Sequence, residues 1–395
     1  MLFVLCFGCL TTSVLAGELK LPYYSAHPQA ADYSGVYKQF FPNGQPAKII
    51  APDELDVRSC DISSWDLKEY TVQELADVIT FDSKTKFPPE EKLPRGFSPK
   101  KILAHGTNPG LNVRALHKQG ITGEGVSIAV IDKELLLNHE DYASRVGYYE
   151  ELTSSPSPEA DMHAGAVVSI AVGRKAGVAP KARVFEFNAA FEKAPSGEFD
   201  ARPMVVALRR IAEINTQLPA EQKIRVVSIS RGFEKHDVGA DEFEAAQNAL
   251  EKDGVAVFTT NDTWTLSRNH TLDNPDYIAN YCRPAFWWKK VDARFWPVIL
   301  KNATVPTDFR VIASPTGKND YVHYAKGGLS WAVPYVAGLY ALGVQVYPQL
   351  TKEIFMQAVR KTSTTRNCAF QGEAFSHPLV SPVDLINYLK TLNTK

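Results

Sequence analysis

Short runs of β-branched and other apolar residues alternate with amphipathic stretches along most of the chain beyond residue 100. The clearest apolar runs predict strands at 126–131, 182–187, 225–229 and 255–259. Between them, apolar residues recur every three or four positions at 164–172, 203–214 and 241–252, which predicts helices. Strands that alternate with helices form a parallel sheet covered on both faces. The sequence therefore predicts an α/β fold with a doubly wound, mostly parallel sheet.

The segment before this pattern has a different character. Residues 17–100 are polar and rich in proline, with one plausible helix at 72–78 and a charged, proline-bearing boundary at 84–100. We predict an N-terminal pro-region or a permanent extension at 17–100, and a single folded domain at 101–395. Two more helices are expected in this domain, one opened by Thr351 and one at 382–392.

The first 16 residues are uncharged and apolar, too short to span a bilayer, and they end in Val14-Leu15-Ala16. We interpret 1–16 as a signal peptide and expect a secreted or periplasmic protein. Because a positive n-region is missing, a misplaced start or a buried strand is the alternative. No later segment is expected to be apolar enough to span a membrane. Cleavage would leave Cys60, Cys282 and Cys368, which permit at most one disulfide.

The charge balance restricts the class of partner. Lysine and arginine number 43 against 44 acidic residues, which gives a formal net charge of -1, and no dense basic block is present. The composition therefore gives no reason to expect nucleic acid or an anionic membrane surface as a partner.

Polar residues follow two of the predicted strands, at the sheet edge where functional groups of α/β proteins gather. Asp132 follows 126–131, and a carboxylate in such a half-buried place requires a partner such as imidazole. Asn261 follows 255–259, where its amide could donate a hydrogen bond into the crevice. Taken singly, Asp132 could equally cap a helix and Asn261 a turn.

Two further candidates lie at predicted helix starts. His163 precedes small residues that allow tight packing, although a lone histidine there is more often a satisfied core residue. Ser330 lies where a glycine-bearing loop becomes an apolar helix, whose dipole favours negative charge beside the hydroxyl. Ser330 could instead merely cap that helix.

Asp132, His163, Asn261 and Ser330 occur in an order that resembles the subtilisin-like serine proteases, the subtilase family, over roughly residues 108–392. The serine motif is similar to that of a bacterial group with Gly-Gly-x-Ser-Trp in place of Gly-Thr-Ser-Met. The other matching segments are Gly123-Glu124-Gly125-Val126, His139-Glu140-Asp141, Gly177-Val178-Ala179-Pro180 and Ser228-Ile229-Ser230-Arg231-Gly232.

The resemblance implies a secreted serine endopeptidase acting on proteins or peptides. Its implied catalytic groups are Asp132, His163 and Ser330, with Asn261 assisting an oxyanion hole. The substrate backbone would lie along residues 230–232.

The chemistry implied by the resemblance needs no cofactor. Structural calcium is frequent in the family, but no aspartate-rich loop indicates it, and no metal site is predicted.

Departures from the family pattern support an alternative function. Lys133-Glu134 follows Asp132, small residues replace Gly-Thr-His after His163, and Leu329 and Trp331 flank the serine. A catalytically silent relative that binds peptides or partner proteins is therefore the main alternative. A nucleotide-binding domain is weaker, because the glycines at 120–125 precede a strand, whereas a phosphate cradle follows one.

Overall fold

A computed structural model describes residues 27–34, 44–45, 55–190, 193–262, 265–268, 274–282, 303–370 and 372–393. The strands are β1 Leu55–Asp56, β2 Ile79–Asp82, β3 Ser127–Asp132, β4 Val146–Glu151, β5 Arg183–Asn188, β6 Ile224–Ile229, β7 Ala256–Thr259, β8 Thr265–Arg268, β9 Thr304–Asp308, β10 Arg310–Ala313, β11 Tyr321–Tyr324, β12 Thr364–Phe370 and β13 Glu373–Leu379. The α-helices are α1 Val72–Val78, α2 Pro99–His105, α3 Val113–Lys118, α4 Met162–Val172, α5 Arg202–Gln217, α6 Ala240–Lys252, α7 Leu329–Val346, α8 Lys352–Thr362 and α9 Pro382–Asn393.

The central sheet is five-stranded and parallel, in the order β4-β5-β3-β6-β7. Alternate residues of β3 enter different cores: Val130 packs with α4 and α7 on one face, whereas Ala129 and Ile131 pack with α5 and α6 on the other. Helices therefore cover both faces, which confirms the predicted doubly wound α/β fold. The four strands predicted for this sheet begin and end within a residue or so of the observed ones.

Helix α7 lies inside the larger core. It spans 18 residues with a mean hydropathy of 1.3, and 78% of it is buried. Among the described residues this is the helix that is long and apolar enough to cross a membrane, so the expectation that no later segment reaches this composition is wrong. Its apolar composition has a physical reason in the fold, because the helix packs against α4 and the central sheet.

The N-terminal part of the chain forms a smaller layer on this body. Helix α1 has the predicted bounds, because Thr71 and Glu74 form a capping box at its start. Strand β1 pairs with β2, and β2 pairs antiparallel with β11 from the far end of the chain. Apolar side chains of this layer form a core of their own that includes Leu75 and Phe81.

The cysteines agree with the number of bridges that the sequence allowed. Cys282 and Cys368 form a disulfide that closes an 86-residue separation, and Cys60, which forms no disulfide, is buried. The predicted signal peptide at 1–16 lies outside the described residues.

Candidate active site

Asp132 occupies the carboxyl end of β3, the middle strand of the central sheet. Its side chain has no solvent exposure. Its carbonyl accepts backbone hydrogen bonds from Ala189 and Ala190, and its Oδ1 accepts one from the Lys133 amide at 3.0 Å. The fold thus presents a fully buried carboxylate at the sheet edge where the sequence predicted one.

His163 is the second residue of α4 and faces that carboxylate. Its Nδ1 lies 2.8 and 3.0 Å from the two carboxylate oxygens of Asp132. The helix begins there because Asp161 accepts the His163 backbone N–H at 2.7 Å as the N-cap. The side chain is 18% exposed, so one edge of the imidazole remains accessible. The expected carboxylate–imidazole pair is present.

Opposing influences act on the pKa of His163. Burial lowers it, while the negative charge of Asp132, the hydrogen bond to that carboxylate and the charge of Asp161 raise it. The balance places the pKa above its ordinary value of 6.5. A raised pKa makes the neutral imidazole a stronger base once it has lost its proton.

Ser330 lies in the first turn of α7, after Gly328. Its hydroxyl donates to the Ser230 carbonyl at 3.2 Å, and the Ser230 hydroxyl donates to the Ser330 carbonyl at 2.7 Å. The structure therefore brings Ser330 to the loop that follows β6, as the resemblance implied. Because a hydroxyl has one hydrogen, Ser330 must leave Ser230 before it can donate to His163.

The helices that begin at these two residues pack against each other. A Cβ on Gly338 of α7 would lie 3.4 Å from the Ala171 carbonyl of α4 and 2.6 Å from the Val178 Cβ. His163 and Ser330 each precede this contact by eight residues in their own helix.

Asn261 lies beside the residues predicted to bind a substrate backbone. Its Nδ2 donates to the Phe233 carbonyl at 2.7 Å, and its Oδ1 accepts the Phe233 N–H at 3.3 Å. A Cβ on Gly232 would lie 2.2 Å from Oδ1, so this loop requires glycine there. Because an amide nitrogen carries two hydrogens, one donor of Asn261 remains for the crevice.

Arg231, the third predicted binding residue, is positioned by an aromatic contact. Its guanidinium carbon lies 4.2 Å from the centre of the Phe199 ring. Its carbonyl accepts the Thr260 N–H at 3.3 Å, which ties the loop after β6 to the one after β7. Residues 230–232 and Asn261 thus form one connected group.

Glu186 is an acidic residue of this region that the sequence analysis missed. It pairs in register with Val130, two residues before Asp132 in β3, so both acids lie on the same face of the sheet. Burial, together with the charges of Asp132, Glu134 and Glu151, raises the pKa of Glu186 far above its ordinary value of 4.5. In the sequence, the one indication of Glu186 was a single acidic residue inside the mostly apolar run 182–187.

An open cavity of about 430 Å³ adjoins this edge of the sheet. Its lining residues are mostly polar, and two lysines and two acids are among them: Lys133, Glu134, Thr153, Ser155, Ser157, Asp161, Asn188 and Lys193. Lys133 and Asp161 form an ion pair across it at 2.9 Å. In the part of the chain that the structure describes, no group of three or more histidine, cysteine, aspartate or glutamate side chains could hold a metal ion.

Comparison with known proteins adds a family match. Residues 123–282 match the model of the subtilase family, a stretch that includes Asp132, His163 and Asn261. This match supports a serine protease. A search of curated proteins found no match.

Two solved structures show similarity to this chain. A prenylagaramide maturation protease, PagA, is 16% identical, with 70% of this chain and 98% of that chain covered and a TM-score of 0.47. A cold-adapted subtilisin-like serine proteinase is also 16% identical, with 65% and 89% covered and a TM-score of 0.44.

Proposed function

We propose that the protein is a serine endopeptidase that hydrolyses peptide bonds through Asp132, His163 and Ser330, with Asn261 assisting. The observation that carries the proposal is the buried Asp132 carboxylate at 2.8 and 3.0 Å from Nδ1 of His163. This pair stands at the start of a helix that packs against the helix bearing Ser330. The subtilase match over residues 123–282 supports the same function.

In the proposed reaction, Ser330 turns from the Ser230 carbonyl towards Nε2 of His163 and attacks the peptide carbonyl carbon. His163 takes the hydroxyl proton, while Asp132 holds the Nδ1 hydrogen and stabilises the imidazolium. The oxyanion is bound by the Asn261 amide and the Ser330 backbone N–H.

The intermediate then collapses by breaking the carbon–nitrogen bond. His163 returns the proton to the leaving amine, which departs and leaves an acyl ester on Ser330. Water activated by the same imidazole hydrolyses the ester and restores the serine hydroxyl.

The substrate would bind as an extended strand along residues 230–232. Backbone pairing gives affinity with little demand on side chains, which suits protein and peptide substrates in general. The close packing of Gly232 against Asn261 supports this, because it places the predicted backbone-binding loop directly beside the proposed oxyanion group. The chemistry needs no cofactor, and we propose no metal.

We further propose that the protein is secreted or periplasmic, with a signal peptide at 1–16. The Cys282–Cys368 disulfide supports this location, because such bonds persist in oxidising compartments. The Gly-Gly-x-Ser-Trp sequence around Ser330 also supports grouping the chain with the bacterial proteins that carry this motif.

A silent relative that binds peptides is the second candidate, and two contacts favour it. The Ser330 hydroxyl is engaged by the Ser230 carbonyl, and the Asn261 amide by the Phe233 carbonyl. If the protein is such a relative, Ser330 and Asn261 hold the loops together for peptide binding. Neither side chain then takes part in proton transfer or in stabilising an oxyanion.

Fluorophosphonate labelling followed by mass spectrometry of the labelled peptide distinguishes the two functions. The peptidase predicts a label on Ser330 that disappears in Ser330→Ala and slows strongly in His163→Ala, together with casein cleavage by the parent protein. Ser196→Ala removes an exposed serine and serves as the control that keeps full labelling. Folded parent protein that takes no label and cleaves no casein would instead contradict the peptidase function and favour the binding function.

A further inference from the structure

The N-terminal segment contacts the loop that leads into His163. Gln29 donates its backbone N–H to the Pro158 carbonyl at 2.8 Å and accepts the Ala160 N–H at 2.8 Å. The backbone of Met162 hydrogen-bonds to Tyr33, whose pKa is raised to about 12, chiefly by burial. The residue directly before His163 is thus held by a residue from the first tenth of the chain.

Arg58 connects that contact to the other side of the site. It is only 8% exposed, and its guanidinium carbon lies 5.7 Å from the centre of the Tyr33 ring. Its Nη1 donates to the Tyr324 hydroxyl at 2.7 Å, while Nε and Nη2 bind the Asp56 carboxylate. The flat fork of arginine can make these bonds together, whereas a lysine ammonium cannot.

Tyr324 carries the connection to the serine. Its ring centre lies 5.0 Å from that of Trp331, which is 6% exposed and directly follows Ser330. We call Tyr33, Arg58 and Tyr324 the bridge. It joins the starts of α4 and α7, so a shift of the bridge displaces the serine relative to the imidazole.

The same N-terminal segment completes a sheet of the main body. Asp82 pairs with Val322 and Phe81 with His323, so β2 covers the edge of β11. Thr80 accepts the Ala325 N–H at 3.2 Å, close to the loop that leads to Ser330. Removing the segment would expose this strand edge and the buried Phe81 contact.

With the described part of the segment in place, the candidate catalytic groups remain reachable. The His163 side chain is 18% exposed and Ser330 is half-buried. The bridge contacts the neighbours of these residues, Met162 and Trp331, so its contacts support the site.

We propose that the segment from residue 27 to residue 82 is retained in the active protein, that its described residues form one wall of the catalytic site, and that Arg58 is a positioning residue for Ser330. The proposal rests on the peptidase function proposed above. It assigns the segment a permanent role, in contrast to a pro-region that is excised before activity begins.

Substitution of Arg58 tests the positioning role. Arg58→Met removes the fork and keeps the stem, and we expect kcat per folded molecule to fall by about 10²-fold with KM unchanged, because small misplacements of a nucleophile are costly. Arg58→Lys should retain only part of the kcat that Arg58→Met loses. Lys86→Ala breaks an exposed ion pair with Asp61 of this segment and should leave kcat unchanged. Parental kcat in folded Arg58→Met protein overturns the positioning role.

A cut between the segment and the main body tests retention. The exposed turn at Arg95-Gly96 has open space around it and accepts an inserted site for a specific protease. After cutting, we expect the two pieces to remain together and Ser330 to label at the uncut rate. Loss of labelling when the N-terminal piece dissociates supports the proposal equally. A rise in labelling on cutting overturns it.

The N-terminus of the labelled parent protein gives an independent measurement. We expect the chain that carries the probe to begin at or before residue 27. A labelled chain that begins after residue 82 overturns retention and leaves the peptidase function standing. Absence of label from folded protein in every form, cut or uncut, refutes the peptidase function itself, so the two failures are distinguishable.

Discussion

Both carboxylate oxygens of Asp132 face one nitrogen of His163, in a place without solvent contact on the carboxylate side. This arrangement fixes the imidazole tautomer, because Nδ1 must carry a hydrogen to satisfy the carboxylate. The opposite nitrogen, Nε2, is then free of its proton whenever the ring is neutral. The pair therefore acts as a base only above the pKa of His163.

The first prediction concerns the pH dependence of serine reactivity. Since the His163 pKa is raised, the rate of fluorophosphonate labelling should rise with pH through a midpoint above 6.5. Asp132→Asn removes the main influence that raises the pKa, so the midpoint should move to lower pH. Its limiting rate should fall by about 10⁴-fold, the effect of this substitution in a serine protease triad.

Asp161→Asn provides the control for this series, because asparagine also caps a helix while the charge is lost. Asp161 contributes less than Asp132 to the raised pKa, so the midpoint should move less. An unchanged midpoint in Asp132→Asn would contradict the pairing.

The second prediction concerns Glu186, whose pKa is raised in the folded state. The unfolded chain loses this proton near pH 4.5, whereas the folded protein keeps it to higher pH, so stability declines as pH rises from that value. The Glu186→Gln side chain is neutral at every pH. The unfolding free energy of this variant, relative to that of the parent, should therefore be larger at neutral pH than below pH 4.5. Urea unfolding at both pH values measures the difference.

Glu124→Gln is the matched control, because Glu124 is exposed and pairs with Lys181 at the surface. It should show no such gain. A Glu186→Gln variant whose stability runs parallel to the parent at all pH values would show that this acid titrates normally.

Part of the site was accessible from the sequence at the level of single residues. The strand-end position of Asp132 predicted a partner such as imidazole, and the resemblance to the subtilases implied that this partner is His163. The mutual bonds between Ser230 and Ser330 were not predicted, since they depend on rotamers and on how closely two loops approach. Glu186 was passed over because its neighbours in sequence are all apolar and its acidic neighbours come from other segments.

At the scale of elements, α4 and α7 determine how far the imidazole lies from the serine. Gly338 allows α7 to approach the segment that follows α4, because a Cβ there would collide with Val178, whereas it would lie an ordinary 3.4 Å from the Ala171 carbonyl of α4. A glycine in the middle of a buried helix thus sets how closely α7 packs on the segment that follows α4.

The third prediction compares two helical glycines. Gly338→Ala should lower the free energy of unfolding by about 1–3 kcal/mol through overpacking, despite the better helix propensity of alanine. Gly165→Ala is the matched control, because its Cβ would meet Ala313 and Tyr142 at an ordinary 3.6 Å. It should be neutral or gain up to about 1 kcal/mol. Equal effects in thermal unfolding would show that Val178 moves aside from an added Cβ at no cost.

Elements with a strong local pattern were predicted well, and those defined by distant partners were not. Strands β3, β5, β6 and β7 follow from continuous apolar runs, and α1 from its capping residues. The pairing of β2 with β11 has no local signature, because the two strands lie some 240 residues apart in sequence. A sequence pattern reports which face of an element is apolar and leaves the identity of its neighbour open.

At the scale of the whole molecule, the disulfide closes the part of the chain that contains Ser330. Cys282 and Cys368 are separated by 86 residues and tie the 3-10 turn at Ile278–Cys282 to β12. Asp132, His163 and Asn261 all lie outside this loop. The bond therefore restrains the segment that supplies the proposed nucleophile.

The fourth prediction is a loss of stability without the disulfide. For a loop of this length, the chain-entropy estimate of its contribution is about 4–5 kcal/mol at room temperature. Cys282→Ser combined with Cys368→Ser should lower the unfolding free energy by up to this amount in denaturant titrations. Cys60→Ser removes a buried thiol and reports the cost of replacing a cysteine that forms no disulfide. A double variant no less stable than Cys60→Ser would show that the disulfide adds no stability.

The pairing of β2 with β11 has a consequence for the order in which the molecule matures. A chain emerging from the ribosome or a translocation pore releases residues 79–82 long before their partner strand at 321–324 and the helix that follows it. During that interval the early strand has an unsatisfied backbone edge, which invites association with other nascent chains. Ser330 joins the other candidate catalytic residues only in the last fifth of synthesis.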